Sequence, residues 1–268
     1  MEINKILTGF FIIVLIGIPF SGGKADSGNK GLEIAKEADR RDLGWEASTV
    51  DLKMLLRNAG GETSQRTIRI SSLERLGKGL GDISLTIFDT PADVRGTAFL
   101  SHTKVFEPDD QWLYLPALKR VKRISSKNKS GPFMGSEFAY EDLLSFEVEK
   151  YNYSFLKDVN CPTLMTECFL MERIPVYENS GYTRQIVWID KDQYRVNKVE
   201  YYDRRNAILK TLVLRDFQQY KNRYWRASTL EMTNQQTQKS TLLTFSNYDF
   251  DAELNINNFK PNKLKRIR

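Results

Sequence analysis

An alternation of apolar and polar residues along almost the whole chain is the feature that most constrains its fold. In residues 50–56 every second residue is apolar, and the same period recurs in residues 83–88. Ten further segments have strand-like patterns: 64–70, 97–105, 111–116, 151–157, 166–174, 184–189, 194–202, 208–217, 225–233 and 239–248. A period of two places side chains alternately on the two faces of a sheet. We therefore predict an antiparallel meander that curls into a barrel or half-barrel.

Residues 1–25 differ from the rest of the chain and are typical of a cleaved signal peptide. Lys5 precedes an apolar run from Ile6 to Ile18, and Gly23-Lys24-Ala25 ends in small residues. The run is shorter than the ~20 apolar residues that a membrane-spanning helix needs. We therefore expect export to the periplasm and one mature domain, residues 26–268. An uncleaved anchor is the alternative.

Several of the predicted strands carry apolar residues on both faces. In residues 184–189, Val187 and Ile189 lie on one face while Ile186 and Trp188 lie on the other. A sheet with one wet face does not need this pattern. One face is expected to pack on protein while the other lines an apolar space, and ordinary two-layer packing is the alternative.

The segment from Gln111 to Leu143 joins apolar and cationic chemistry. Its strand-like start, with Trp112 and Tyr114, is followed by six basic residues and no acid: Lys119, Arg120, Lys122, Arg123, Lys127 and Lys129. The net charge of the chain is +6. Because the chain has no recognisable nucleic-acid-binding motif, we expect no nucleic acid as partner. A contact with an anionic membrane surface or an acidic partner explains the cations better. We assign that contact to Lys119, Arg120, Lys122 and Arg123, with a solvated hairpin as the alternative.

Two helices are predicted among the strands. Residues 31–41 place Leu32, Ile34 and Ala35 on one side and charged residues on the other. A second amphipathic pattern begins at Ser136 and continues to Phe146. The second helix is expected either to cover the hollow of the curved sheet or to serve as a plain crossover.

The cysteines favour a structural rather than a chemical role. Cys161 and Cys168 are the only two cysteines, and an oxidising compartment permits them to pair. We expect a disulfide across a hairpin end, with two buried thiols as the alternative. His102 is the only histidine, which argues against a Cys/His zinc site. No nucleophile, nucleotide or metal-hydrolase motif is present, so we expect a protein that is not an enzyme and needs no cofactor.

Two stretches carry a resemblance to a known family. The run WLYLPALKRVKRI followed by GPFMGSEFAYEDL, and the earlier GLEIAKEADRRDLGWEAS, resemble the LolA-like family of periplasmic outer-membrane lipoprotein-sorting proteins. Where relatives commonly have Gly-Ser-Asp, this chain has Gly135-Ser136-Glu137. The resemblance implies a half-barrel of about 11–12 strands, in the size range of curved open sheets, with a few helices covering its concave face. It also implies a lipid or lipoprotein acyl chain as ligand and an inner-membrane RND-type exporter as a partner.

From these observations we expect a periplasmic lipid carrier. The candidate ligand-binding residues share apolar character and a place in the middle segment: Trp112, Tyr114, Phe133, Met134, Phe138 and Leu143. A non-enzymatic adaptor that docks on a transporter and carries no lipid is the alternative.

Overall fold

The computed structural model describes residues 22–266, with side chains described from residue 26 onward. Residues 1–21 of the predicted signal peptide lie outside this part of the chain. The described residues begin with one α-helix, α1 (Gly22–Asp42). This confirms the helix predicted over residues 31–41, which buries Ile34 and Ala35.

Thirteen strands in the described residues form one antiparallel sheet. They are β1 (Ala47–Arg57), β2 (Thr63–Leu73), β3 (Leu80–Thr90), β4 (Ala98–Lys104), β5 (Asp110–Leu115), β6 (Arg120–Ile124), β7 (Tyr151–Asn160), β8 (Glu167–Pro175), β9 (Arg184–Asp190), β10 (Val196–Tyr202), β11 (Ile208–Tyr220), β12 (Tyr224–Asn234) and β13 (Ser240–Asp249). The order across the sheet is β6-β5-β4-β3-β2-β1-β13-β12-β11-β10-β9-β8-β7. The predicted mainly β half-barrel is confirmed, and the sheet is not closed.

The strand that the sequence did not predict is β6, which lies within the basic run. Its residues Arg120, Lys122 and Arg123 are exposed, so the apolar alternation that marks the other strands is weak here. Strand β6 forms one edge of the sheet. Exposed cations on an edge strand hinder pairing with another chain.

The two sheet faces have separate cores. We call inner face the face that carries Met54, Phe88 and Met171, which belong to the main core cluster. The opposite, outer face of β3–β5 carries a smaller cluster covered by Phe259 and Leu264 from the C-terminal segment.

Residues 125–150, here the crossing segment, connect the two edges of the sheet. They follow β6 at one edge and precede β7 at the other, so they must pass over the inner face. The ring of Phe133 packs against Phe88 and Phe99, with ring centroids 5.8 and 5.1 Å apart. The crossing segment therefore fills the part of the hollow that lies over strands β3 and β4.

The helix predicted from Ser136 is wrong. The backbone is extended at Ala139 and at Leu144, with ψ of 162° and 152°, so an α-helix cannot run through residues 136–146. Phe133 N–H donates to the Phe138 carbonyl, and the Ser136 hydroxyl donates to the Phe133 carbonyl at 2.7 Å. A tight loop results, followed by a short 3₁₀ turn over Tyr140–Leu143.

The predicted disulfide is confirmed. Cys161 and Cys168 are bonded and close the loop between β7 and β8. Their neighbours Asn160 and Glu167 pair across the hairpin, so the bond lies at the hairpin end as expected.

Candidate ligand cavity

A large cavity lies between α1, the crossing segment and the inner face of strands β8–β13. Its volume is about 1100 Å³. The sheet contributes most of its apolar lining: Met171, Val187, Ile189, Val196, Val199, Leu212, Leu214, Phe217, Leu230 and Phe245. From the helix side, Ala35 and Ala38 complete it. A cavity of this size and lining is suited to a flexible apolar ligand.

Strand register arranges this lining in rows across the sheet. Direct cross-strand partners lie on the same face. One row pairs Met171 with Val187, Val187 with Val199, and Val199 with Leu212. Two residues along β11, the next row contains Leu214 opposite Leu230. The apolar surface is therefore continuous across β8–β12.

A polar row lies next to the apolar rows, one step closer to the crossing segment. It pairs Tyr153 with Arg173, Arg173 with Gln185, Gln185 with Tyr201, and Tyr201 with Lys210. Arg173 donates from Nε to the Gln185 side-chain oxygen at 2.5 Å. The apolar rows of the cavity are thus bordered on one side by a polar row.

Helix α1 is held close to strand β7 by a glycine. A Cβ at Gly31 would lie 2.9 Å from the backbone nitrogen of Phe155, closer than real Cβ atoms approach. Lys30 places its ammonium 3.4 Å from the centroid of the Phe155 ring. At the other end of the helix, Asp42 pairs with Arg226 of β12 at 2.5 Å. The helix therefore spans the sheet from β7 to β12 and roofs the cavity.

The crossing segment is fixed to the polar row by acidic side chains. Asp142 accepts from Lys210 at 2.6 Å and from the Tyr182 hydroxyl at 2.8 Å. Glu141 accepts from the Gly181 N–H and the Ser180 hydroxyl at 2.8 and 2.9 Å. Every buried side-chain nitrogen or oxygen in the described part of the chain has a partner.

Exposed apolar residues lie at one mouth of the cavity. Leu43, Leu76, Leu80 and Phe146 all line it and are all exposed, Leu76 most of all at 70%. They come from the end of α1, the β2–β3 turn and the crossing segment. Exposed apolar side chains grouped in one place commonly mark a contact site for a ligand or partner.

Three carboxylates at the same mouth have raised pKa values. Burial raises the pKa of Asp39 to about 6, assisted by the nearby charge of Glu149. Burial raises the pKa of Asp82 to about 6 and the pKa of Glu147 to about 7. Among the described residues no cluster of His, Cys, Asp or Glu has a metal-binding arrangement.

The six predicted ligand-binding residues lie elsewhere. Phe133, Phe138 and Met134 pack in the main core under the crossing segment. Leu143 lines a second, smaller cavity of about 270 Å³ near Phe99. Trp112 and Tyr114 pack on the outer face with the C-terminal segment. None of the six lines the large cavity, so any ligand role for them is separate from it.

Sequence reasoning assigned ligand binding to none of the residues that line the large cavity, although a signal for them was present. Residues 184–189 carry apolar side chains on both faces, and Val187 and Ile189 of that strand line the cavity. Residues 208–217 have the same two-faced pattern, and their Leu212 and Leu214 line the cavity too. The expectation that one face of these strands lines an apolar space agrees with this geometry.

The basic run is divided by the fold. Lys119, Arg120, Lys122, Arg123 and Lys127 are exposed along the β6 edge, and Arg123 pairs with Asp110. Lys129 instead is buried, with its ammonium 3.8 Å from the Tyr177 ring centroid. Burial lowers the pKa of Lys129. The exposed cationic edge therefore has five members rather than six.

Comparison with known proteins places this architecture in a family. A family model described as "Uncharacterized protein" matches residues 81–266. Among curated proteins, none matches the chain.

In the part of the chain that the structure describes, no helix has both the length and the apolar character required to cross a membrane.

Solved structures give the closer comparison. A Vibrio parahaemolyticus domain named for outer membrane lipoprotein sorting is 56% identical, with a TM-score of 0.86, over 89% of this chain and 100% of that one. A DUF1329 family protein from Desulfovibrio piger is 27% identical, with a TM-score of 0.83, over 89% of this chain and 99% of that one. A LolA superfamily protein from Nitrosomonas europaea shares the fold at 18% identity and a TM-score of 0.67, over 86% of this chain and 97% of that one. The chain belongs to the LolA-like family.

Proposed function

We propose that this protein is a periplasmic carrier that holds the hydrocarbon chain of a lipid or lipoprotein in the large cavity and shuttles it toward the outer membrane. The observation that carries the proposal is the apolar surface of β8–β12, roofed by α1 around a volume of about 1100 Å³. The name of the Vibrio parahaemolyticus relative, which refers to outer membrane lipoprotein sorting, supports the cargo class.

The energetics of an acyl chain in water explain why such a cavity is needed. Exposing about 16 methylenes costs on the order of 13 kcal/mol, at ~0.8 kcal/mol per CH₂. A soluble carrier offsets this cost by burying the chain against apolar side chains. Release requires only that the next acceptor bind the cargo more tightly, so the carrier itself needs no nucleotide or metal.

Location and partners extend the proposal. The signal-peptide pattern in residues 1–25 supports the periplasm. The exposed cations Lys119, Arg120, Lys122 and Arg123 on the β6 edge offer a contact for an anionic membrane surface. An RND-type exporter as partner stays a prediction from the family resemblance.

Two measurements on the natively purified protein test the carrier function. Lipid extraction followed by mass spectrometry should detect bound lipid, and the emptied protein should take up a fluorescent acyl probe at a defined stoichiometry. A lipid-free protein that takes up no probe would refute the carrier function and favour the docking adaptor.

A matched pair of variants on β11 locates the binding surface. Leu214 lines the cavity, while its neighbour Val213 points to the opposite face of the same strand. Leu214→Asp should reduce probe uptake strongly because an unpaired charge in an apolar cavity is costly. Val213→Asp should retain uptake. Melting curves for both variants separate loss of binding from loss of fold, and equal uptake by both would place the ligand elsewhere.

A further inference from the structure

Arg173 stands within the cavity lining, and its charge has no acidic partner among the described residues. Its Nε donates to Gln185, and its guanidinium lies 4.8 Å from the Tyr151 ring centroid and 5.2 Å from that of Phe146. Within residues 26–266 its two terminal nitrogens make neither a hydrogen bond nor an ion pair. The planar group is therefore oriented by its neighbours while two of its nitrogens stay available.

Most of the other basic side chains that line the cavity are already bonded. Arg195 pairs with Asp190, Arg226 with Asp42, and Lys150 with Asp109. Arg75 donates to the carbonyls of Gly81 and Thr103. Arg223 makes no close ion pair among the described residues either, but it is exposed and its charge acts on Asp42. Arg173 is only partly exposed and stands within the lining itself.

The acids nearest to this part of the cavity do not compete for Arg173. Glu141 is bonded to Gly181, Ser180 and Tyr177, and Asp142 is bonded to Lys210 and Tyr182. Glu147 accepts from the Ser145 hydroxyl at 3.0 Å, and burial raises its pKa to about 7. Its negative charge is therefore incomplete at neutral pH.

The position of Arg173 also suits the head of an amphiphile. It stands in the polar row, and the apolar row of Met171 begins two residues away on the same strand. Beyond it the apolar lining continues along β11 from Leu212 to Phe217. From Lys210 in the polar row to Phe217 is seven residues of strand, roughly 23 Å at about 3.3 Å per residue. A ligand with its head at Arg173 would therefore lay its tail along the apolar rows.

From this geometry we propose that Arg173 binds the anionic head, a carboxylate or phosphate, of the amphiphile whose tail occupies the cavity. The proposal rests on the carrier function proposed above and names the head chemistry of its ligand. Arginine presents a planar fork of donors that matches both anions. Inside a partly desolvated site such hydrogen bonds are stronger than in water.

A head-group series tests this assignment. Emptied wild-type protein is loaded with the uncharged fluorophore N-phenyl-1-naphthylamine, which is then displaced with dodecanoate, dodecyl phosphate or dodecanol. The two anions should bind more tightly than the alcohol. Arg173→Gln should weaken both anions by about tenfold to a hundredfold, the range expected for hydrogen bonds to a charged group. The alcohol and the fluorophore should bind the variant as they bind the wild type.

Two controls sharpen the result. Arg57→Gln removes an exposed arginine that does not line the cavity and should leave the head-group preference unchanged, while Arg173→Lys should retain that preference in part. Inorganic phosphate should neither displace the fluorophore nor compete with dodecyl phosphate for binding. If inorganic phosphate competes with dodecyl phosphate, Arg173 binds a free anion and the proposal is overturned. Equal affinity for the three amphiphiles would also overturn it while leaving the carrier function intact. Failure of the fluorophore itself to bind would refute both.

Discussion

Lys210 Nζ lies 2.6 Å from Asp142 Oδ2, and this pair joins strand β11 to the crossing segment. Both side chains are almost fully buried, at 4% and 5% exposure. Lys210 also donates to the Glu137 carbonyl at 2.8 Å. The ion pair therefore fixes the crossing segment over the inner face, next to the cavity.

Removing one partner of this pair should destabilise the fold strongly. In Lys210→Met the Asp142 carboxylate stays buried without its cation, and such a loss costs about 3–5 kcal/mol. The double variant Lys210→Met/Asp142→Leu should recover part of that loss because no uncompensated charge remains. Urea unfolding of the wild type, Lys210→Met, Asp142→Leu and the double variant measures the coupling free energy between the two side chains. Additive losses in the double variant would show that the two charges do not interact.

Stability should depend on pH through the carboxylates at the cavity mouth. The pKa values of Asp39, Asp82 and Glu147 are raised to about 6, 6 and 7 from ordinary values of 3.8, 3.8 and 4.5. Between the ordinary and the raised values, the folded protein holds protons that the unfolded chain has released. The contribution of these groups to stability is therefore full below their ordinary pKa values and is lost as pH rises through the raised values of about 6, 6 and 7.

The free energy of unfolding, measured with denaturant at about pH 5 and about pH 8, on either side of the raised pKa values, checks this expectation. Glu147→Gln should flatten the dependence because its side chain does not titrate. The exposed Glu178→Gln serves as the control and should leave the profile unchanged. A Glu147→Gln profile that is as steep as the wild type would contradict the assignment.

The disulfide should stabilise the β7–β8 hairpin. Cys161 and Cys168 are seven residues apart, so their bond closes a short loop and is expected to contribute about 2–3 kcal/mol. The double variant Cys161→Ala/Cys168→Ala should lower the free energy of unfolding by that amount. Alkylation of the native wild type should modify neither cysteine until a reductant is added. Two freely alkylated thiols would contradict the bond.

The cationic edge should bind anionic membranes. Replacing Lys119, Arg120, Lys122 and Arg123 with Glu should abolish binding to vesicles that contain anionic lipid, because each cation contributes ~1 kcal/mol near such a surface. Binding of the wild type should weaken as salt is added. As control, the same reversal is made at four exposed cations elsewhere: Lys36, Lys53, Arg57 and Lys239. If both variants lose vesicle binding equally, the net charge of the protein alone explains the binding and the edge has no special role.

Much of the secondary structure could be read from local patterns. Alternation predicted twelve of the strands because a half-buried sheet needs a period of two, and the presence of just two cysteines in a chain expected to be exported predicted their bond. Residues 31–41 predicted α1 from its apolar side. Strand β6 was missed because an edge strand that faces water carries charges where the others carry apolar residues.

The cavity was decided by the tertiary structure. Alternation shows that Trp112 and Tyr114 share a face, but only the C-terminal segment packed against them makes that face the outer one. The helical spacing after Ser136 did not produce a helix, because the segment packs Phe133 against Phe88 and Phe99 and its backbone is extended at Ala139 and Leu144.

The polar row depends on contacts that are distant in sequence. Arg173, Gln185 and Lys210 lie on three different strands, and nothing in their local sequence indicates that register aligns them. The pairing of β1 with β13 joins the two halves of the sheet, and that arrangement allows the crossing segment to fill one half of the hollow. Local sequence determined where strands form, because alternation is a property of neighbouring residues. The tertiary structure decided which faces enclose a space, because enclosure depends on what packs against each face.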